Sequence, residues 1–338
     1  MLASGTEAGG AERSLLEHLL PGSAHFLLPG AGGLAGVVAE RGHTWEEFRL
    51  PTAWRRLTQR GFSGRFDRIL QVPALLFPLP AQIRLLRRRL ETWDGEVISL
   101  GVKSHLRCLF VASRLGPRLI FDVRDFIRPR LFRPILAWIA RRHKNRIRVN
   151  SRAVRRDYPG AEVVYPQVRL PRPVAPRPAP GPPWIVTHAG FFAPYKGQDL
   201  FLELGATLLE GGLDARFWLI GDAAYPAPEY LAFAEKLRAR AARDDLRGRV
   251  RFAGRVEEIQ GLLEQTHLLL HCTREPEPFG RVILEALQCG CEVICHGGSG
   301  ACELLQTSRE FPDWMAPLGR VLPGEFVRVT SPLAPLHA

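Results

Sequence analysis

HLLLHCTREPEPFGRVILEALQCGCEVICH, residues 267–296, sets the architecture of the chain. HLLLHC (267–272) is an apolar run of strand length, closed by a polar loop. Pro278, Phe279 and Gly280 lead into a helical pattern over 280–288, Gly290 ends it, and EVICH (292–296) begins a second strand. Strand, helix and strand in so short a span form a crossover unit, which joins parallel strands. Upstream the same rhythm repeats. WIVTHAG (184–190), RFWLIGD (216–222) and RVRFAG (249–254) read as strands, with helices predicted over 198–210, 229–243 and 256–264. That alternation predicts an α/β domain whose parallel sheet is covered on both faces. The first half is less regular but compatible. It offers a helix at 12–20, strands in HFLLPG (25–30), EVISLG (96–101) and RLIFDVRD (118–125), and a helix near 134–142. Seven of the fifteen residues of RLPRPVAPRPAPGPP (169–183) are proline, so this segment continues neither a helix nor a central strand and serves as a semi-rigid linker. The expected domains are therefore 1–168 and 184–338, joined by 169–183. Doubly wound sheets bind ligands outside the carboxyl ends of their strands, which places the expected site in a cleft between two such domains.

Composition narrows the function. At 338 residues and 46% hydrophobic content the chain suits two packed domains. No run approaches the ~20 apolar residues of a spanning helix, and the most apolar stretch, 70–81, contains Pro73, Pro78 and Pro80. The N-terminus lacks the basic-then-apolar layout of a signal peptide, so a cytoplasmic location is expected. Six cysteines without a Cys-x-x-Cys fit that compartment; Cys289, Cys291 and Cys295 read as packed thiols rather than a metal cluster. The formal net charge is +12, and residues 124–156 hold twelve Arg or Lys against one acid, Asp125. A second basic region runs from 55 to 89. Such patches attract phosphates, anionic lipid or nucleic acid, but no nucleic-acid-binding motif accompanies them, and nucleic acid is not an expected partner. Basic residues in 124–156 alternate with apolar ones, Trp138 included. They describe either a helix lying in a membrane interface or a core-facing helix with a solvated basic face.

EPFGRVILEALQCG (277–290) carries the chemistry. Amides and dipole at a helix start favour a phosphate. Glu277 and Glu285, eight residues apart, supply carboxylates that accept strongly from sugar hydroxyls. One helix start can thus hold phosphate, ribose and a second sugar together; the competing reading is a loop charge and an ordinary exposed helix residue. Glu277, Phe279, Gly280, Glu285 and Ala286 resemble the hallmark of the retaining glycosyltransferases of family 4, the glycosyl transferases group 1. HAGFFAPYKGQDLFLELGATLL (188–209), LIGD (219–222), GGAERSLLEHL (9–19), NSRAV (150–154) and Ser299 to Glu303 resemble further family segments in the same order along the chain.

The resemblance implies a GT-B-like fold, two Rossmann-like domains facing across a cleft, and retaining transfer from a nucleotide-diphosphate sugar. The first domain would bind a glycan or lipid-linked acceptor, in cell-envelope polysaccharide synthesis, with peripheral contact at the inner face of the membrane. It makes Lys196 the diphosphate lysine, Glu277 the partner of the donor sugar and Glu285 that of the ribose. Gly9, Gly10, Phe279, Gly280 and Arg281 would line the donor, and Asp122 would lie near the reacting sugar. Without an Asp-x-Asp pair, neither a metal nor a cofactor is expected. His105, His188, His271 and His296 share no metal-ligand spacing, though His188 and His296 fall near strand ends. Three features depart from the family pattern. Phe191 stands where an Arg is usual, and Asp122 stands where a His is usual. The ends are short: Met1–Ser4 are too few for a first strand, and the segment after Glu303 is proline-rich. Phe191 and Asp122 leave room for a weakened, ligand-binding relative, and the basic stretch leaves room for a nucleic-acid-binding protein.

Overall fold

The computed structural model describes residues 1–3, 5–6, 8–51, 77–127, 132–175, 181–223 and 228–330. Most of the 55–89 basic region, residues 70–76 of the apolar stretch, 128–131, and 176–180 of the proline segment lie outside the described residues, as does Ser4. The chain divides into two compact units, Met1–Gln167 and Val168–Ala338. No helix of the described residues is long and apolar enough to cross a membrane.

In the first unit, α1 (Gly10–Leu16), β1 (His25–Leu28), α2 (Gly33–Glu40) and β2 (Thr44–Glu47) precede α3 (Leu79–Arg89), β3 (Val97–Leu100), α4 (Val102–Leu109), α5 (Ala112–Leu115) and β4 (Leu119–Val123). Then follow α6 (Phe132–Arg142), β5 (Arg146–Val149), α7 (Arg152–Arg155) and β6 (Glu162–Val163). β1 pairs with β2, and β3, β4, β5 and β6 pair in that order, all parallel. As expected, Met1–Ala3 form no strand of their own, but they bridge two strands. Leu2 bridges both Leu27 of β1 and Ser99 of β3, with Leu2 N–H donating to Ile98 at 2.8 Å and Ala3 N–H to Leu27 at 3.1 Å. Strand β4 is buried at every position, as a strand covered on both faces must be. On α6, Leu136 and Ala140 are buried, whereas Ile135 is 49% and Trp138 62% exposed. The helix thus has a core face and, opposite it, an apolar patch beside exposed Arg141 and Arg142.

In the second unit, β7 (Trp184–Ala189), α8 (Gln198–Glu210), β8 (Ala215–Ile220), α9 (Pro228–Ala241), β9 (Val250–Gly254), α10 (Gln260–Leu263), β10 (Leu268–His271), α11 (Arg281–Gln288) and β11 (Glu292–His296) follow the sequence expectation closely. Two differences have physical causes. The helix expected over 256–264 shrinks to the single turn of α10, whose buried Gln260 hydrogen-bonds the Arg172 backbone at both its N–H and its carbonyl. Arg172 also grips Glu264 bidentately at 2.8 and 2.7 Å, so the described start of the proline segment is fastened to this unit. After Glu303 the chain builds β12 (Gln306–Ser308), α12 (Ala316–Val321) and β13 (Phe326–Thr330). β13 is antiparallel to β11, buries Phe326 and Val329, and carries β12 on its far side. The strand order is β12-β13-β11-β10-β7-β8-β9. The core gathers Phe201, Phe217, Leu219, Leu268, Leu270 and Ile294, and Trp184 stacks on Trp314 with ring centroids 4.1 Å apart.

Candidate functional site

Strand order in the second unit runs outward from β7 through β8 to β9, and the other way from β7 through β10 to β11. The reversal falls between β7 and β10, and ligands of open α/β sheets bind beyond the carboxyl ends of the strands at such a reversal. The loop after β7 carries Lys196, and the loop after β10 carries Glu277.

Local sequence fixes both loops. After β7, buried Gln198 donates to the Phe191 carbonyl at 2.8 Å and pins the turn. Pro194–Lys196 form one 3₁₀ turn, ended by Gly197 at φ +73°. A Cβ on Gly197 would sit 1.7 Å from the Cys272 carbonyl oxygen, which shows how closely the two loops approach. Arg274 fastens them further. Its N–H donates to the Tyr195 carbonyl at 3.0 Å, and its guanidinium pairs with Asp199 at 2.6 Å. The result is an ion pair across the two loops, Lys196 Nζ to Glu277 Oε1 at 2.5 Å.

Glu277 is held from several sides. Its N–H donates to Ser299 Oγ at 3.1 Å, and its carbonyl accepts from Gly300 N–H at 3.1 Å. His271 Nε2 donates to Glu277 Oε1 at 3.3 Å. Burial acts to raise the Glu277 carboxyl, but the Lys196 ammonium and His271 outweigh it and hold the group well below the usual carboxylate range. His271 stacks on His188, ring centroids 5.5 Å apart, and His188 Nε2 donates to the Lys196 carbonyl at 2.9 Å. Burial, with His271 beside it, pushes His188 down to about 3. His188 is therefore a neutral, fully buried support for the lysine loop. Sequence reasoning grouped His271 with histidines of no shared spacing and missed it as a partner of Glu277. The available signal was its place at the end of β10, six residues ahead of that carboxylate.

The remaining donor-site residues follow. Phe279 is buried, its carbonyl accepting from Ala301 N–H at 2.8 Å. Gly280 begins α11 at φ +94°, and Arg281 reaches Glu285 one turn on, at 3.3 Å. Glu285 is 20% exposed, so it can still meet a ligand. Phe191 is 42% exposed. Gly9 and Gly10 belong to the first unit, where Gly9 precedes α1 and packs near Glu12. Asp122 also lies there. Its side chain is wholly buried, and both carboxylate oxygens accept from Arg124 Nε, at 3.0 and 3.1 Å. Its carboxylate thus faces Arg124 within this unit. Among the described residues no three His, Cys, Asp or Glu converge as metal ligands, and the six cysteines are free thiols.

Residues 182–321 match the family model of glycosyl transferases group 1. Among solved structures the chain resembles Anabaena HepE in complex with UDP-glucose, at 20% identity over 95% of this chain and 87% of that one, with a TM-score of 0.69. It also resembles a glycosyltransferase from Rickettsia africae ESF-5, at 14% identity over 90% and 79% of the two chains, with a TM-score of 0.62. A third likeness is to the lipopolysaccharide outer core galactosyltransferase WaaB in its apo form, at 16% identity over 86% and 78% of the two chains, with a TM-score of 0.53. At these identities the likeness is one of fold. No curated protein matches the chain in sequence. Residues 182–321 thus match the glycosyl transferases group 1 model, and the two α/β units share the GT-B fold of these solved glycosyltransferases.

Proposed function

We propose that the chain transfers a sugar, with retention of anomeric configuration, from a nucleotide-diphosphate sugar to a hydroxyl of a glycan or lipid-linked acceptor. The observation that carries this reading is the Lys196–Glu277 pair at the strand-order reversal of the second unit. Lys196 neutralises the diphosphate, and Glu277 accepts from hydroxyls of the transferred sugar. Glu285 accepts from the ribose, while Phe279, Gly280 and Arg281 shape the loop and helix start that face the donor. In the first unit Gly9 and Gly10 contribute backbone amides to the donor, and the acceptor binds to that unit. The C1–O bond to the leaving phosphate breaks as the acceptor oxygen bonds to C1 on the same face. The acceptor's proton passes to the departing phosphate oxygen. Stabilisation of the leaving group falls to Lys196 and fixed amides, without metal or cofactor. Transfer is therefore expected to continue in excess EDTA; loss in EDTA with recovery on adding Mg²⁺ or Mn²⁺ contradicts this mechanism.

The acceptor side points to the inner face of the membrane as the place of work. Ile135 and Trp138 stand exposed on α6 beside Arg141 and Arg142, an arrangement suited to an anionic lipid interface. Each basic residue near such a surface adds about 1 kcal/mol, screened by salt. The protein is expected to co-sediment with anionic vesicles at low salt and to be released at high salt. Equal, negligible sedimentation with anionic and neutral vesicles would leave a soluble acceptor.

A further inference from the structure

At the carboxyl ends of β4 and β5, several buried polar atoms of the first unit have no hydrogen-bond partner: Nη1 and Nη2 of Arg124, Oδ1 of Asn150, Nε2 of His18, and Nε of Arg148, which reaches only Glu162 at 4.0 Å. They belong together. Asp122 of β4 and Arg148 of β5 are register partners, so their side chains share one face of the sheet. Asn150 Nδ2 donates to the Arg124 carbonyl at 3.1 Å. His18, two residues past the end of α1, is close enough to Arg124, Asp122 and Arg148 to feel all three charges. The Arg124 side chain is 2% exposed, and Asp122 engages only its Nε, leaving both Nη atoms without a hydrogen-bond partner; Glu12 also lies close enough to feel the Arg124 charge. A buried guanidinium with empty donors is costly unless an acceptor fills it, and the fork matches two oxygens of one oxyanion. This is also the end of a parallel sheet at which ligands bind.

We propose that Arg124, oriented by Asp122, is the cation of an oxyanion subsite in the first unit, and that the acceptor carries a phosphate or carboxylate which fills it. The proposal rests on the reading of the first unit as acceptor-binding. Asp122 is then a positioning residue, and Arg124 is the group that meets the ligand. Arg148 and the basic surroundings favour the same charge.

The test titrates inorganic phosphate into the full chain calorimetrically, with chloride at equal ionic strength as the reference. It is run in a Lys196→Ala background, so that phosphate at the donor lysine does not contribute. Arg124→Lys keeps the charge but loses the fork, and Asp122→Asn with Arg124→Gln replaces the ion pair by a neutral one. Specific phosphate binding is expected in Lys196→Ala alone and is expected to weaken at least tenfold with either addition. UDP binding measured in an otherwise wild-type chain should be unchanged by Arg124→Lys. No phosphate binding beyond chloride in the Lys196→Ala chain overturns the proposal, and so does equal binding in all three. Because that first measurement uses no Arg124 variant, a folding defect in the others does not shield it. Failure of every nucleotide sugar to bind would instead remove the donor reading and leave the phosphate result standing.

Discussion

Lys196→Ala lowers kcat/KM for the nucleotide sugar by about 10²–10³-fold, the scale seen when one fixed donor to a developing anion is removed, ~2.7–4 kcal/mol. Two losses combine. The diphosphate forfeits its lysine, and Glu277 loses the cation that chiefly offsets its burial, so its carboxyl pKa rises. Removing the ammonium 2.5 Å away leaves a carboxylate that is 13% exposed, without its cation and facing an anionic ligand. The loss should fall on kcat as well as KM, since charge on the leaving phosphate grows in the transition state. Phe191→Ala should do much less, because that exposed ring brings no charge. Phe191→Arg should raise donor affinity if an absent second cation limits binding. Steady-state kinetics on these variants decides the matter; a silent Lys196→Ala moves the diphosphate elsewhere.

Gly197→Ala should cost about 3 kcal/mol or more and abolish activity. Its φ of +73° disfavours any L side chain, and the added Cβ would overlap the Cys272 carbonyl oxygen at 1.7 Å. That oxygen is backbone, at the end of β10, so relief means moving one loop away from the other and separating Lys196 from Glu277. For a unit of this size such a cost corresponds to a fall in Tm of about 6–12 °C. Gly212→Ala is the control. It has φ +86° but nothing within 4 Å of the new Cβ, so it should cost only about 1–2 kcal/mol and leave activity intact. Thermal unfolding followed beside activity separates the two; equal, small shifts would show that the loops tolerate separation.

Much of the second unit was legible because its signals are local. A strand of Leu268–His271 followed by Gly280 and a helix reads directly from apolar runs and a left-handed glycine. The expected helix over 198–210 matches α8 residue for residue, since Gly197 marks its start and Gly211 and Gly212 follow its end. Strand β13 was missed because FVRVT is short and paired antiparallel to β11, a contact nothing nearby in sequence announces. Met1–Ala3 form no strand of their own, and their bridges to Leu27 and Ser99 are likewise contacts that nothing nearby in sequence announces. In the site, the family resemblance pointed to Lys196, and a carboxylate beside a helix start pointed to Glu277, but neither told of their direct pairing, nor of His271 beside them, because those depend on which strands become neighbours. Asp122 reads in sequence as a strand-end acid available for chemistry, and only the Arg124 side chain folding back two residues shows that it is occupied.

The most direct test of the account is a calorimetric titration of UDP-, GDP- and ADP-sugars into the wild-type chain and Glu285→Ala, all in EDTA. One nucleotide sugar should bind at one site per chain. Its affinity should fall by roughly 10–150-fold in Glu285→Ala, the ~1.5–3 kcal/mol of a hydrogen bond to a charged group. Absence of binding by all three classes, or binding that Glu285→Ala leaves unchanged with the fold intact, would contradict a nucleotide-sugar site at the loop and helix start of residues 277–285.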